Sequence, residues 1–182
     1  MGPDLIEPGP LRPPELLTAA HDLAGFFCGD ASLDAWLRRR AMANQVSGAS
    51  RTCAIASGRR VVGYYSLASG AIAARGAPTR LRRNMPDPIP MTVIGRLAVD
   101  QGWQGRRLGA LLLRDAILRT AQAADIIGVR GVLVHAISDD AKRFYQRWGF
   151  WEAPSHPMTL VVALSDAAAA VVPLDRGDPS RP

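Results

Sequence analysis

The chain has 182 residues, 48% of them hydrophobic and 21% charged, with a formal net charge of +6. That length suits one globular domain with its own buried core, and no apolar run approaches the ~20 residues that span a bilayer. The opening MGPDLIEPGPLRPPELL lacks both the basic start and the apolar stretch of a secretion signal, so no membrane association and a cytoplasmic location are expected.

In chain order, residues 1–14 hold five prolines and read as an extended tail. A domain is expected over 15–165, and 166–182 reads as a second tail. DASLDAWLRRRAMANQ predicts a helix starting at Asp30 or Ser32, with apolar Leu33, Trp36 and Leu37. Trp36 reads as core rather than as a platform for a stacked base. RTCAIAS and RRVVGYYSLASGAIA predict strands around a turn at Ser57-Gly58. Cys28 and Cys53 have no His/Cys cluster at metal spacing and read as buried free thiols; no metal is expected.

A proline-rich connection, APTRLRRNMPDPIP, leads to the β-branched strand MTVIGRLAVD. After WQGRRLG, a helix is expected from about Gly105 to Ala124. GVLVHAI is the next strand, where His135 reads as structural rather than as a base. DDAKRFYQRW follows as a short helix, capped by Ser138 or Asp139 and ended by Gly149. MTLVVAL is the last strand. The expected fold class is α/β, a mixed sheet with helices packed on it.

Charge is distributed unevenly. Between Arg38 and Arg83 there are ten arginines, among them Arg75, Arg80 and Arg82, and no Asp or Glu. Such a stretch attracts polyanions, and arginine binds phosphate bidentately. With 21 Arg to one Lys, a compositional bias explains Arg over Lys but not the missing acids. A nucleic-acid-facing surface is expected here.

The loop at Gln104–Gly109 invites a second anion. A strand runs through a tight turn into a helix, whose first N–H groups lack intrahelical partners and carry the positive end of the helix dipole. Such an end binds pyrophosphate. The loop is neither a Walker motif nor the dinucleotide G-x-G-x-x-G, and taken alone an ordinary basic loop explains it as well. Trp103 beside it reads equally as a lid or as a surface residue.

A second motif changes that balance. SDDAKRFYQRWGF contains A-x-x-F-Y-x-x-x-G-F in full, from Ala141 to Phe150. With Gln104-Gly105-Arg106-Arg107-Leu108-Gly109, close to Q/R-x-x-G-x-G/A, it resembles the GNAT superfamily of acetyl-CoA-dependent N-acetyltransferases. Arg107 stands where that family has glycine, and Ser138 where many members have Asn. A helix start needs no positive φ in general, so Arg107 is expected to be tolerated and to add a contact to phosphate.

Residues 15–165 further resemble the GNAT toxins of bacterial type II toxin–antitoxin modules, through HDLAGFFCGDASLDAWLRRRA, SGASRTCAIASGRRVVGYYSLASG, GRLAVD and RGVLVHAISDDAKRFYQRWGF. The resemblance implies the GNAT fold, a central mixed β-sheet flanked by helices. It implies acetyl transfer from acetyl-CoA to the α-amino group of aminoacyl-tRNA, blocking translation, a ribbon-helix-helix antitoxin as partner, and a homodimer. It places acetyl-CoA on Leu97, Ala98, Val99, Gln104, Gly105, Arg106, Arg107, Leu108, Gly109, Ala110 and Ser138, and makes Tyr145 the general acid. Arg38, Arg75, Arg80, Arg82, Arg83 and Arg96 are the expected tRNA contacts.

The chemistry is consistent with these residues. An α-amino group has an unperturbed pKa near 8, so a neutral fraction attacks the thioester without a strong base. The leaving thiolate needs a proton, and a positioned tyrosine supplies one for a gain of ~10²–10⁴-fold. From the residues alone, Tyr145 reads as a packed ring, and Arg96 also suits a solvated strand face. Two other readings stay open: acetylation of a small amine or protein N-terminus, and a nucleic-acid-binding module with a disabled acetyl site. The acid-free stretch disfavours a cationic polyamine.

Overall fold

The computed structural model describes residues 9–172. The strands are β1 (Glu15–Leu16), β2 (Arg51–Ser57), β3 (Arg60–Ile72), β4 (Ile89–Val99), β5 (Gly131–His135), β6 (Trp151–Ala153) and β7 (His156–Ala163). They form one sheet in the order β1-β2-β3-β4-β5-β7-β6. It is mixed: β4 and β5 are parallel, while β1/β2, β5/β7 and β6/β7 are antiparallel. The helices are α1 (Ala31–Trp36), α2 (Met42–Ser47), α3 (Thr79–Arg82), α4 (Leu108–Ala124), α5 (Asp139–Arg147) and α6 (Leu164–Val171).

The chain divides into two compact units, one of residues up to 66 with 96–112, the other of 67–95 with 113 onward. In the first unit Asp30 caps α1: one carboxylate oxygen accepts the N–H groups of Ser32 and Leu33 at 2.9 and 3.1 Å. Hydrogen bonding, chiefly from the Ser32 hydroxyl, holds that carboxyl below its ordinary range. Between α1 and α2 the backbone widens into a π-turn, Leu37–Ala41, with Leu37 and Ala41 fully buried and Arg38–Arg40 exposed. The period read from the sequence does not contain this widening. It keeps both apolar residues facing in across an arginine run. Leu17, Phe26, Leu33, Leu37, Val61 and Tyr64 form the core here. Of the two thiols expected to be buried, Cys53 is buried and Cys28 half-buried.

In the second unit the core joins Leu81, Ile89, Met91, Leu133 and Val161. Gly131 opens β5. A Cβ there would lie 2.2 Å from the Val162 carbonyl oxygen, so only glycine lets β5 and β7 approach this closely.

Several elements depart from the sequence reading. The proline-rich connection contains α3, and β1 and β6 are strands too short to carry a periodic signal. Helix α6 occupies the start of the segment read as a tail, burying Ala167 and Val171. Within the N-terminal segment, Gly9 accepts the Ser57 hydroxyl at 2.7 Å and the Arg12 N–H donates to Ala56 at 3.0 Å, so residues 9–14 lie bonded along β2. The outer parts of both tails lie outside the described residues. Among those residues no helix is long and apolar enough to cross a membrane.

Candidate active site

The end of β4 and the loop after it belong to the first unit. Ala98 is buried, with Leu97 and Val99 half-buried on either side. Asp100, 3% exposed, closes the strand. One of its oxygens accepts the Phe27 N–H at 3.0 Å and an Arg60 guanidinium N–H at 3.2 Å; the other accepts the Gly102 N–H at 3.0 Å. This carboxylate sets the turn into the loop. Sequence reading missed it, although an acid followed by Gln-Gly at a strand end is an Asx-turn signal. The Gln104 amide donates to the Cys28 and Val99 carbonyls, both at 3.0 Å. That amide ties the loop to its own unit.

The backbone then turns left-handed twice, at Gly105 (φ 77°) and at Arg107 (φ 62°). The expectation that this helix start needs no positive φ is corrected here. Arg107 occupies a conformation that glycine enters freely and an L-residue enters at roughly 1–2 kcal/mol. Its carbonyl accepts the Leu111 N–H at 3.1 Å, the first bond of the α4 ladder. The N–H groups of Leu108, Gly109 and Ala110 precede that ladder. The Arg106 guanidinium lies 4.5 Å from the centroid of the half-buried Trp103 ring, a cation–π contact that gives Trp103 a definite place within the loop.

Arg96 rests on an aromatic stack. Its guanidinium is 5.4 Å from the Trp36 ring, which lies parallel to Tyr64 at 6.0 Å. Trp36 is half-buried against the core, as read. Arg38 donates to the Phe26 carbonyl at 2.9 Å.

The second unit carries Tyr145 on α5. Ser138 caps that helix, its hydroxyl oxygen accepting the Ala141 N–H at 3.1 Å. Tyr145 is 7% exposed and packs between Phe144 and Phe150, with ring centroids 5.1 and 5.4 Å away. Burial alone acts on its phenol and pushes the ionisation far above the ordinary tyrosine range. Among the described residues nothing hydrogen-bonds its hydroxyl. Tyr64, equally a core tyrosine, donates to the Leu33 carbonyl at 2.8 Å. His135 has the structural place expected of it, Nδ1 lying 2.9 Å from the Thr159 hydroxyl across β5 and β7.

The expected tRNA-binding arginines of this unit, Arg75, Arg80, Arg82 and Arg83, are all exposed. Arg80 pairs with Asp166 at 3.0 Å, and Arg82 donates to the Thr79 hydroxyl at 3.3 Å. Arg130, unremarked in the sequence, donates to the Leu81 and Arg80 carbonyls at 3.1 and 3.2 Å. It thereby holds the C-terminal end of α3, where a cation also complements the helix dipole.

Residues 49–152 match the acetyltransferase (GNAT) domain. The chain belongs to the GNAT acetyltransferases. It is 49% identical over 158 residues to the tRNA-acetylating toxin of Mycobacterium tuberculosis (strain ATCC 25618 / H37Rv), covering 87% of this chain and 95% of that protein. Two solved structures share its fold: AtaT complexed with acetyl-methionyl-tRNAfMet and an AtaT mutant bound to the C-terminus of the antitoxin AtaR and acetyl-CoA. The first has a TM-score of 0.79 at 27% identity, covering 86% of this chain and 96% of that one. The second has a TM-score of 0.74 at 26% identity, covering 91% and 97%.

As a GNAT enzyme the chain uses acetyl-CoA as acetyl donor. The loop's chemistry fits it. Successive N–H groups outside the helical ladder, two arginines, and no Asp or Glu between Asp100 and Asp115 make a donor set for a pyrophosphate.

Proposed function

We propose that this GNAT enzyme is a toxin that acetylates the α-amino group of aminoacyl-tRNA and so blocks translation, with Tyr145 as general acid. The reading rests on Tyr145: a buried tyrosine whose hydroxyl has no hydrogen-bond partner among the described residues, in a unit where His135 is bound to Thr159. A packed tyrosine finds a partner for its hydroxyl, and Tyr64 does so. Burial keeps the Tyr145 proton in place over the whole range in which the α-amino nucleophile becomes neutral, so donor and nucleophile coexist. In this reading the amine attacks the thioester carbonyl directly, and the family resemblance assigns the oxyanion to main-chain N–H groups of the strand that carries Leu97 and Val99. As the C–S bond breaks, the tyrosine proton goes to the leaving sulfur, and the proton lost by the newly acylated nitrogen, passed through solvent, restores the phenol.

The acceptor is supported by the 49% identity to a tRNA-acetylating toxin and by the acid-free arginine stretch. In this reading Arg38, Arg75, Arg80, Arg82, Arg83 and Arg96 meet tRNA phosphates. The antitoxin is a ribbon-helix-helix protein, the toxin is a homodimer, and both act in the cytoplasm. AtaT in complex with the antitoxin AtaR is the support for such a partner.

The deciding experiment is transfer of label from radiolabelled acetyl-CoA to bulk aminoacyl-tRNA, beside deacylated tRNA and Tyr145→Phe. Label on charged tRNA only, lost in the variant, is expected. Label on deacylated tRNA, or none while acetyl-CoA still binds, overturns the acceptor.

A further inference from the structure

We propose that Asp34 is a positioning residue for the acetyl donor, acting through residues 26–29 to fix the end of β4 and the loop after it. The inference rests on the acetyl-CoA reading above and deepens it with a residue outside that loop. Asp34 lies in the first turn of α1 and is 2% exposed. A carboxylate at that depth is costly unless it is bonded. One of its oxygens accepts the Cys28 N–H at 2.9 Å, and the start of α1 adds the positive end of a helix dipole. The helix itself does not need this second carboxylate as a cap, since Asp30 already fills that place.

What Asp34 holds is a strut with two sides. Residues 26–29 belong to no helix or strand, so their backbone groups are bonded elsewhere. On the helix side, the Cys28 N–H goes to Asp34 and the Phe26 carbonyl accepts from Arg38 at 2.9 Å. On the loop side, the Phe27 N–H donates to Asp100 at 3.0 Å and the Phe27 carbonyl accepts the Gln101 N–H at 2.8 Å. The Cys28 carbonyl accepts the Gln104 amide at 3.0 Å, and the same amide nitrogen reaches the Val99 carbonyl at 3.0 Å. The two segments are close: a Cβ on Gly29 would lie 2.7 Å from the Gln101 amide nitrogen. Asp34 and Gln104 therefore hold the N–H and the carbonyl of one residue, Cys28. Gln104 is exposed, where water competes for its amide; the buried Asp34 supplies the fixed end. Released from Asp34, residue 28 shifts, and Gln104 passes that shift to the end of β4.

Coupling of this kind is measured by a double-mutant cycle. Asp34→Ala should weaken acetyl-CoA binding roughly tenfold, read by calorimetric titration below the onset of unfolding. Asp34→Asn keeps an acceptor for the Cys28 N–H and should recover most of that loss. Gln104→Ala cuts the same path at the loop and should also lose about tenfold. The double variant should then bind no worse than the weaker single one, because both changes break one connection. In the wild type, saturating acetyl-CoA should slow amide exchange at Phe27 and Cys28, the reciprocal effect that linkage requires. That measurement does not depend on any variant folding.

Unchanged acetyl-CoA affinity in folded Asp34→Ala overturns the inference, as does a loss of about a hundredfold in the double variant, the product of two independent effects. A loss that Asp34→Asn does not recover assigns Asp34 to the packing of α1 and overturns it too. So does exchange at Phe27 and Cys28 that acetyl-CoA leaves unchanged. Failure of the wild-type protein to bind acetyl-CoA at all would instead remove the acetyl-CoA reading on which the inference rests.

Discussion

Two buried tyrosines with different surroundings lead to different outcomes on losing a hydroxyl. Tyr145→Phe removes a group with no hydrogen-bond partner among the described residues, so melting temperature and acetyl-CoA affinity should be unchanged while turnover falls ~10²–10⁴-fold. Tyr64→Phe removes the donor to the Leu33 carbonyl; it should cost about 1 kcal/mol of stability and leave turnover intact. Thermal melts and single-turnover rates on both variants test the pair. The raised ionisation of Tyr145 also predicts a rate that climbs through pH 8 as the amine deprotonates and does not fall near pH 10, where an ordinary tyrosine ionises. An alkaline fall there would take the acid role from this buried phenol. Cys28 belongs to the same scale. Burial first, then its hydrogen bond with Asp34, pushes the thiol up to about 11. The sign follows from linkage: the unfolded thiol ionises near 9 and the folded one later, so stability is fully present below pH 9 and declines as pH rises toward 11. Alkylation of Cys28 in the folded protein should accordingly remain slow at pH 9.

At the scale of elements, two charged residues hold short segments in place. Asp100 accepts two backbone N–H groups and the Arg60 guanidinium at the end of β4. Asp100→Ala leaves buried donors unmet, at about 1–3 kcal/mol, and releases the turn leading to the loop, so both the melting temperature and acetyl-CoA affinity should drop. Arg130 holds α3, four residues that cannot persist as an isolated helix. With Arg130→Gln, amide exchange should quicken across residues 79–83, and tRNA affinity should fall while acetyl-CoA affinity stays. Equal loss of both ligands would mean that Arg130 supports the whole unit rather than its basic segment. The turn that Asp100 makes onto Gly102 is a local signal; the rest of both roles is not legible in the sequence, because it depends on carbonyls or N–H groups brought near from distant positions. Asp100 meets Phe27 and Arg60; Arg130 meets Arg80 and Leu81.

For the whole molecule, the net charge of +6 and the exposed arginines predict that tRNA binding weakens steeply with salt. Neutralising Arg82 and Arg83 together should weaken tRNA binding several-fold at low salt, flatten that slope, and leave acetyl-CoA binding alone. Arg80 should contribute less than either, since Asp166 already pairs with it. Filter binding over a salt series checks both statements, and a salt-insensitive complex would remove the arginines from the interface.

By itself the sequence determined the order of the main helices and strands, the mixed sheet, the glycine- and arginine-rich loop before α4 and the family. These are carried by local signals: apolar periodicity, a cap at Asp30, glycines at turns, and two motifs whose residues are adjacent in the chain. Tertiary structure decided the rest. The short strands β1 and β6 exist only through neighbours in the sheet, and α6 through burial of Ala167 and Val171. That Arg107 sits at positive φ depends on how the loop must turn between Gln104, tied to Cys28 and Val99, and the first bond of α4. No local preference of arginine would place it there. The difference between Tyr64 and Tyr145 is of the same kind: both are buried tyrosines, and only the surrounding fold decides which hydroxyl has a partner.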